Sequence, residues 1–561
     1  MLPFPLTILP AGEGPGTAWK PLPLSIPGRK ARGASGLPSL TPGFFWDIKK
    51  WKEGFLPPEL RSLPGDRLAT ETGEEAPDAR KDATVTKAQK NRKPRTLGEL
   101  KKANYPVDPV KTEMRKNLIE KIRRDENFFP GIIGYEETVI PQLENAILSG
   151  QDVIFLGERG QAKTRMIRSL VNLLNEEIPA VAGCEINDNP YHPICKSCLE
   201  KIQALGDRTE ISWIGRDQRY AEKLATPDVT IADLIGEVDP IKVAEGRYLS
   251  DELTIHYGLI PRTNRGIFAI NELPDLGEKI QVGLFNIMEE RDVQIRGYKI
   301  RLPLDVYIVA SANPEDYTSR GRIITPLKDR YGSEIRTHYP RSLKDEIQIM
   351  EQERMRFEDG GFTTTIPPYL TELIAEVTSL ARKSPEINQR SGVSVRVSIS
   401  NFENVISNAL RRAIRNGERE VVPRVSDLPY LIASTSGKIE FETVEEDRNQ
   451  SLIEKLIDKA AINTFNRYFQ VQQFDGFLAR FKGGWSVEVS ERMKSSEYAE
   501  RTREVSPHAA EMRGLLEALK KLGCDQTPAQ IASGLEFILE GLYLHHRLNK
   551  EKLAGKTSYH A

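Results

Sequence analysis

Three things are scarce in this chain. Net charge is one: 79 Lys and Arg stand against 80 Asp and Glu, which excludes a global attraction to nucleic acid or to an anionic membrane. Long apolar runs are another. No segment approaches the roughly 18 apolar residues that a spanning helix needs, and the opening MLPFPLTILPAGEG has prolines through its apolar stretch and no basic region before it, unlike a secretory leader. A cytoplasmic protein without a membrane segment is therefore expected. Cysteine is the third, with 4 in 561 residues, too few for a disulfide framework. What is present, 39% hydrophobic and 28% charged residues, suits a soluble chain of about two to four domains with a sizeable core.

Residues 1–95 are rich in Pro, Gly and charge and carry no sustained period, so an extension without fixed structure is expected there. A start further in is the other reading, because the first periodic segment is Arg115 to Arg123, with Leu118, Ile119 and Ile122 on one helix face. Residues 96–343 read as an α/β domain, a parallel sheet covered by helices. Val153 to Leu156, Ile267 to Ile270 and Val306 to Ala310 are the nearly all-apolar runs of strands buried on both faces. Polar residues follow each at once, and ligands gather at the carboxyl ends of strands in such sheets. Residues 344–445 read as a small helical lid, with Leu373, Val377 and Leu380 on one helix face and Val405, Ala409, Leu410 and Ala413 on another. Residues 446–561 read as a helical extension, with Leu535, Ile538, Leu539 and Leu542 in register. There is no internal repeat.

After the strand VIFL comes GERGQAKT, residues 157 to 164, and then the helical stretch RMIRSLVNLL. Strand, glycine loop and helix in that order are what a Walker A phosphate loop requires. Backbone N–H groups of Gly157, Glu158, Arg159, Gly160, Gln161 and Ala162 can cradle phosphate, Lys163 can reach the outer phosphates, and the Thr164 hydroxyl can ligate magnesium. Ala162 departs from the pattern, which has Gly before the Lys. Its methyl costs little if φ is negative and is penalised if φ is positive.

Further on, GIFAINEL sets Asn271 and Glu272 at the end of an apolar strand. Glu272 is a carboxylate suited to take a proton from an attacking water. Asn271 stands where a carboxylate would steady magnesium and its waters. An amide still accepts a hydrogen bond but brings no charge, so weaker magnesium affinity or slower hydrolysis is expected, with binding without hydrolysis the extreme case. An active ATPase is the favoured reading, because the catalytic carboxylate is kept. The strand VYIVASANPEDY ends in Asn313, which suits either a polar contact to water and the outermost phosphate or an Asx turn before Pro314.

With these pieces in order, residues of about 128 to 440 resemble an AAA+ ATPase of the magnesium-chelatase ATPase subunit and MoxR group. The resemblance implies ATP and Mg²⁺ as cofactors, with Ile132 and Ile133 near adenine, GERGQAKT as Walker A, NEL as Walker B with its Asn substitution, and Asn313 as sensor 1. It implies Arg330 as an arginine finger completing a neighbour's site, with Arg320, Arg322 and Arg336 close in sequence, and Arg396 as sensor 2 from the lid. RDVQIRGYKIRLP resembles the hairpin inserted before sensor 1, and VDPIKVAEGRYLSDELTIHYGLI the insertion in the second helix; both are expected at a ring's central channel. A homo-oligomer, usually a hexamer, is implied. The function implied is a remodelling motor acting on a partner protein, often one with a von Willebrand A domain. The alternatives are a magnesium-chelatase subunit, and a nucleotide-binding scaffold or nucleic-acid-associated protein with little hydrolysis. Against nucleic acid, KNRKPR at residues 90 to 95 reads as a solvated charge run and the GAFTGA loop of transcription activators is absent.

The resemblance does not explain GCEINDNPYHPICKSC. Cys184, His192, Cys195 and Cys198 offer either a structural zinc knuckle or inert packing thiols.

Overall fold

The computed structural model describes residues 93–244, 252–294, 301–313, 321–356, 360–442, 446–503, 509–553 and 555–561. The expected unstructured extension lies outside them except for its last three residues. Those run beside the strand Ile211–Gly215, where Ile211 N–H donates to Arg95 O at 2.9 Å.

The three apolar runs become the middle of a parallel sheet. Its strands are β1 (Val153–Leu156), β2 (Tyr220–Leu224), β3 (Gly266–Asn271), β4 (Val306–Ala312) and β5 (Ser333–Arg336), side by side in the order β5-β1-β4-β3-β2. All four pairings are parallel, with Val153 opposite Val309 and Ile308 opposite Phe268. Because side chains alternate along a strand, Val153, Phe155, Ile267, Ala269, Tyr307 and Val309 enter one apolar cluster. Ile154, Leu156, Phe268, Ile270, Ile308 and Ala310 enter the other. Both faces are thus covered, as an all-parallel sheet requires.

On the first face lie α1 (Val110–Arg123), α2 (Val139–Leu148) and α3 (Lys163–Ser169). The buried apolar stripe of α1 is Val110, Met114 and Leu118, while Ile122 is exposed. The expected face of Leu118, Ile119 and Ile122 is therefore rotated: the stripe of Val110, Met114 and Leu118 packs into the cluster shared with α2 and the sheet, which leaves Ile119 half-buried and Ile122 in solvent. A buried ion pair fixes α1 to the start of β2: Arg219 donates to both Glu113 carboxylate oxygens at 2.8 and 2.6 Å. The second face carries the segment around the cysteines, including α4 (Lys196–Leu205), and both insertions. The strands Gly236–Val238 and Ile255–Tyr257 pair antiparallel, as do Asp292–Gln294 and Arg301–Pro303. The expected hairpin is present, and its tip at residues 295–300 lies outside the described residues.

Beyond the sheet come α5 (Leu343–Glu353), α6 (Pro368–Ala381), α7 (Val395–Asn416), α8 (Glu446–Tyr468) and α9 (Pro528–Leu544). The stretches expected as lid and extension share one apolar cluster, from Met350 and Leu373 through Phe465 to Leu542 and Tyr559. Polar groups cross the same boundary. Arg424, fully buried, donates to Ser495 Oγ at 2.7 Å, and its guanidinium lies 4.7 Å from the centre of the Tyr498 ring. The Tyr498 hydroxyl donates to Glu536 at 2.7 Å, and the Tyr369 hydroxyl lies 2.7 Å from Ser533 Oγ. Among the described residues no helix is long and apolar enough to cross a membrane.

Candidate functional site

The loop after β1 is wedged between the sheet and the first turn of α7. Gly157 N–H donates to Ala312 O of β4 at 3.1 Å. A methyl group on Gly157 would stand 1.9 Å from Thr337 Oγ1, and one on Gly160, at φ +76°, would stand 2.0 Å from Ser394 Oγ. Neither position accepts a side chain. The Lys163 ammonium donates to Gly157 O, and to Glu158 O at 3.0 Å. From outside, Tyr135 braces the loop with its hydroxyl 3.0 Å from Gln161 O and 2.8 Å from His338 O. Burial pushes that phenol up to about 12. Arg159 donates to Ser391 Oγ, in the loop before α7, at 2.9 Å and to Glu440, well beyond α7 in the chain, at 3.0 Å.

Ala162 sits in left-handed backbone, φ +55° and ψ +15°. The methyl group is therefore on the penalised side of the sequence argument, at a cost of roughly 1–2 kcal/mol. Glu272 is strained in the same sense, at φ +55°. Strain persists only where the surroundings over-determine it, and it clusters at functional sites.

A cleft of about 440 Å³ opens over the loop, within the usual range for a small-molecule site. Ile132, Ile133, Arg159, Gly160, Gln161, Ala162, Lys163, Thr164, Glu272 and Arg396 all line it. Gly157, Glu158, Asn271 and Asn313 are not among the lining residues; Gly157 and Glu158 follow β1, Asn271 ends β3 and Asn313 follows β4. Ser311 of β4 ties the last strands together: its hydroxyl donates to Asn271 Oδ1 at 3.2 Å and accepts from Glu272 N–H at 3.3 Å. Tyr135, His338 and Glu353 also line the cleft, and no sequence signal marked them. Glu353 pairs with Arg165 across its mouth. Backbone N–H groups, Lys163 and three arginines, Arg159, Arg165 and Arg396, around a loop that accepts no side chain at Gly160 form a donor set that fits a polyphosphate, and the Thr164 hydroxyl fits its magnesium.

No family model matches the chain. Over 279 residues it is 28% identical to the magnesium-chelatase subunit ChlI of Nostoc sp., a match spanning 48% of this chain and 70% of that one. A ChlI homolog from Methanocaldococcus jannaschii is 28% identical over 232 residues, 40% of this chain and 58% of its own. The chain is an AAA+ protein related to the magnesium-chelatase subunit ChlI. Among solved structures, a chain of the magnesium-chelatase BchI–BchD complex matches at 20% identity, covering 59% of this chain and 98% of that one, with a TM-score of 0.31. NtrX from Brucella abortus in complex with ADP matches at 13%, covering 69% and 68%, with a TM-score of 0.32. The AAA+ architecture rests on the parallel sheet ordered β5-β1-β4-β3-β2.

Arg330 is not among the residues lining this AAA+ cleft. It pairs with Glu289, donates to Pro326 O at 2.6 Å and lies 4.5 Å from the centre of the Phe285 ring. Arg322 and Arg336 are mostly exposed, and Arg320 lies outside the described residues.

The cysteines gather away from the cleft, but not with the expected fourth donor. His192 is exposed and outside the group. Asp188 takes its place: its carboxylate and the sulfurs of Cys184, Cys195 and Cys198 all lie within 4.8 Å of one another. The reason is local. Asp188 Oδ2 accepts from Ile194 N–H at 3.1 Å and Cys195 N–H at 3.0 Å, which folds the loop back over the carboxylate and turns His192 outward. Contacts among the three sulfurs hold the Cys184 thiol below the ordinary thiol range and push Cys195 and Cys198 above it.

Proposed function

We propose that this chain binds and hydrolyses ATP, using the energy to remodel a partner protein in the manner of MoxR relatives. The observation that carries the reading is that Glu272 lines the same cleft as Lys163, Thr164 and Arg396. Lys163 and the loop N–H groups would hold the phosphates, Thr164 and the waters steadied by Asn271 would hold magnesium, and Ile132 and Ile133 would flank the base. Bound magnesium-ATP supplies the phosphorus to be attacked and the metal's charge to stabilise the leaving oxygens. Glu272 accepts the proton of the attacking water, Asn313 orients that water, and Arg396 compensates developing charge from the lid side. Steady-state phosphate release tests this. Wild-type protein should turn over and Glu272→Gln should not; a wild type with no release overturns it.

The resemblance adds a second element to the proposal, a ring, usually hexameric, in which Arg330 works in a neighbour's cleft. Arg330→Ala should abolish release while leaving nucleotide binding intact, with assembly followed by sedimentation in ATP.

The names of the curated relatives favour a second reading, service as the ATPase subunit of a metal-insertion complex. Affinity capture on the Glu272→Gln variant with ATP separates the two. A von Willebrand A protein with no tetrapyrrole-binding subunit supports remodelling, and co-capture of such a subunit supports insertion.

A further inference from the structure

We propose that Cys184, Asp188, Cys195 and Cys198 form a structural site for one thiophilic divalent ion, zinc by chemistry, independent of the nucleotide cleft. Three sulfurs and a carboxylate oxygen within 4.8 Å of one another are a four-donor set of the composition zinc takes in closed, tetrahedral sites. With Zn–S near 2.3 Å, the edge of such a tetrahedron is about 3.8 Å. The Cys184 and Cys195 sulfurs are 4.0 Å apart, so closure requires only small shifts.

Two further observations point to a cation there. Asp188 is fully buried, and while Oδ2 takes two backbone N–H groups, Oδ1 has no hydrogen-bond partner. An orphaned, buried carboxylate oxygen costs free energy unless something positive meets it. Backbone N–H groups also aim at the sulfurs: Asp188 N–H donates to Cys184 Sγ and Cys198 N–H to Cys195 Sγ, each at 3.4 Å. Donors placed this way fix the direction of the sulfurs and are the outer contacts that metal-bound sulfurs take. A disulfide is the rival use of these cysteines. It would consume two sulfurs and leave both the third sulfur and Asp188 Oδ1 unmatched.

The site staples the loop of residues 183–198 to the second face of the sheet. Cys195 and Cys198 belong to the same apolar cluster as Ile186, Ile260 and Phe268. Lys196 N–H donates to Glu252, which also accepts from the Tyr257 hydroxyl, so the staple is joined to the insertion paired at Ile255–Tyr257.

The test is metal content of the purified full-length chain by elemental mass spectrometry. The expected result is about one zinc per chain, retained in His192→Ala and lost in Cys198→Ser and in Asp188→Ala. Because those two losses could also reflect misfolding, native wild-type protein is exchanged into cobalt(II), where a thiolate-to-cobalt charge-transfer band with tetrahedral ligand-field bands is expected. Three results would each overturn the proposal: metal below roughly a tenth of an equivalent after reconstitution with zinc, metal kept by Asp188→Ala but lost by His192→Ala, or a Cys184–Cys195 disulfide in protein prepared with zinc and reductant.

Discussion

Around the phosphate loop, polar side chains line an open cleft, and both Ala162 and Glu272 hold left-handed backbone. Between Met350 and Tyr559, by contrast, aromatic and aliphatic side chains fill the largest apolar cluster. Only His546 among the described non-glycine residues there has a positive φ. One region breaks local rules and the other obeys them. The difference teaches where selection for chemistry and selection for stability are concentrated, since departures from local preference are tolerated where function requires them.

The sharpest test removes the cleft's carboxylate. Glu272→Gln should lower phosphate release by about 10²–10⁴-fold while the unfolding midpoint stays at or above that of wild type; a large fall in stability would erase the contrast. The converse change is Phe465→Ala. Phe465 is fully buried and packs on Phe469, Phe474 and Phe537, so its loss should cost about 3–5 kcal/mol by denaturant melts. Residues on both sides of position 446 should then lose hydrogen-exchange protection together. Separate losses would show two cores rather than one.

Asn271→Asp restores a charge at the end of β3 and should tighten magnesium dependence of the ATPase by roughly 10-fold or more. Asn271 is buried and the Ser311 hydroxyl is a single neutral donor, so without magnesium the variant should melt below wild type and recover when magnesium-nucleotide is added. The smallest effect is Ala162→Gly, which should relieve about 1 kcal/mol of left-handed strain and raise the melting midpoint. A lower midpoint would mean that the methyl group packs usefully.

The middle of the sheet was legible because β1, β3 and β4 are buried on both faces and read as unbroken apolar runs. The edge strands were not. Tyr220–Leu224 and Ser333–Arg336 carry Glu, Lys and Arg and are only half-buried, so their period is blurred by residues that face solvent. Most phosphate-loop residues were legible by spacing, whereas the φ of Ala162 was not, because an exposed alanine at the start of a helix carries no local signal for left-handed backbone. Asp188 hid for a related reason: in INDNPYHP an aspartate reads as a turn residue, and His192 is the more familiar soft donor. Nothing in the sequence separated lid from extension by packing, since both repeat the same helical period.

That shared core has a mechanical corollary. Gly160 meets Ser394 so closely that no methyl group fits between them, and Arg396 reaches the cleft from the first turn of α7. Since α7 shares one apolar cluster with α8 and α9, a tilt of α7 at the cleft is passed on by side-chain packing. The far end of the same helix, at Asn416, donates to Glu491 O and Met493 O beside the strand Val487–Val489, so the two ends of one helix touch the cleft and the three-stranded sheet.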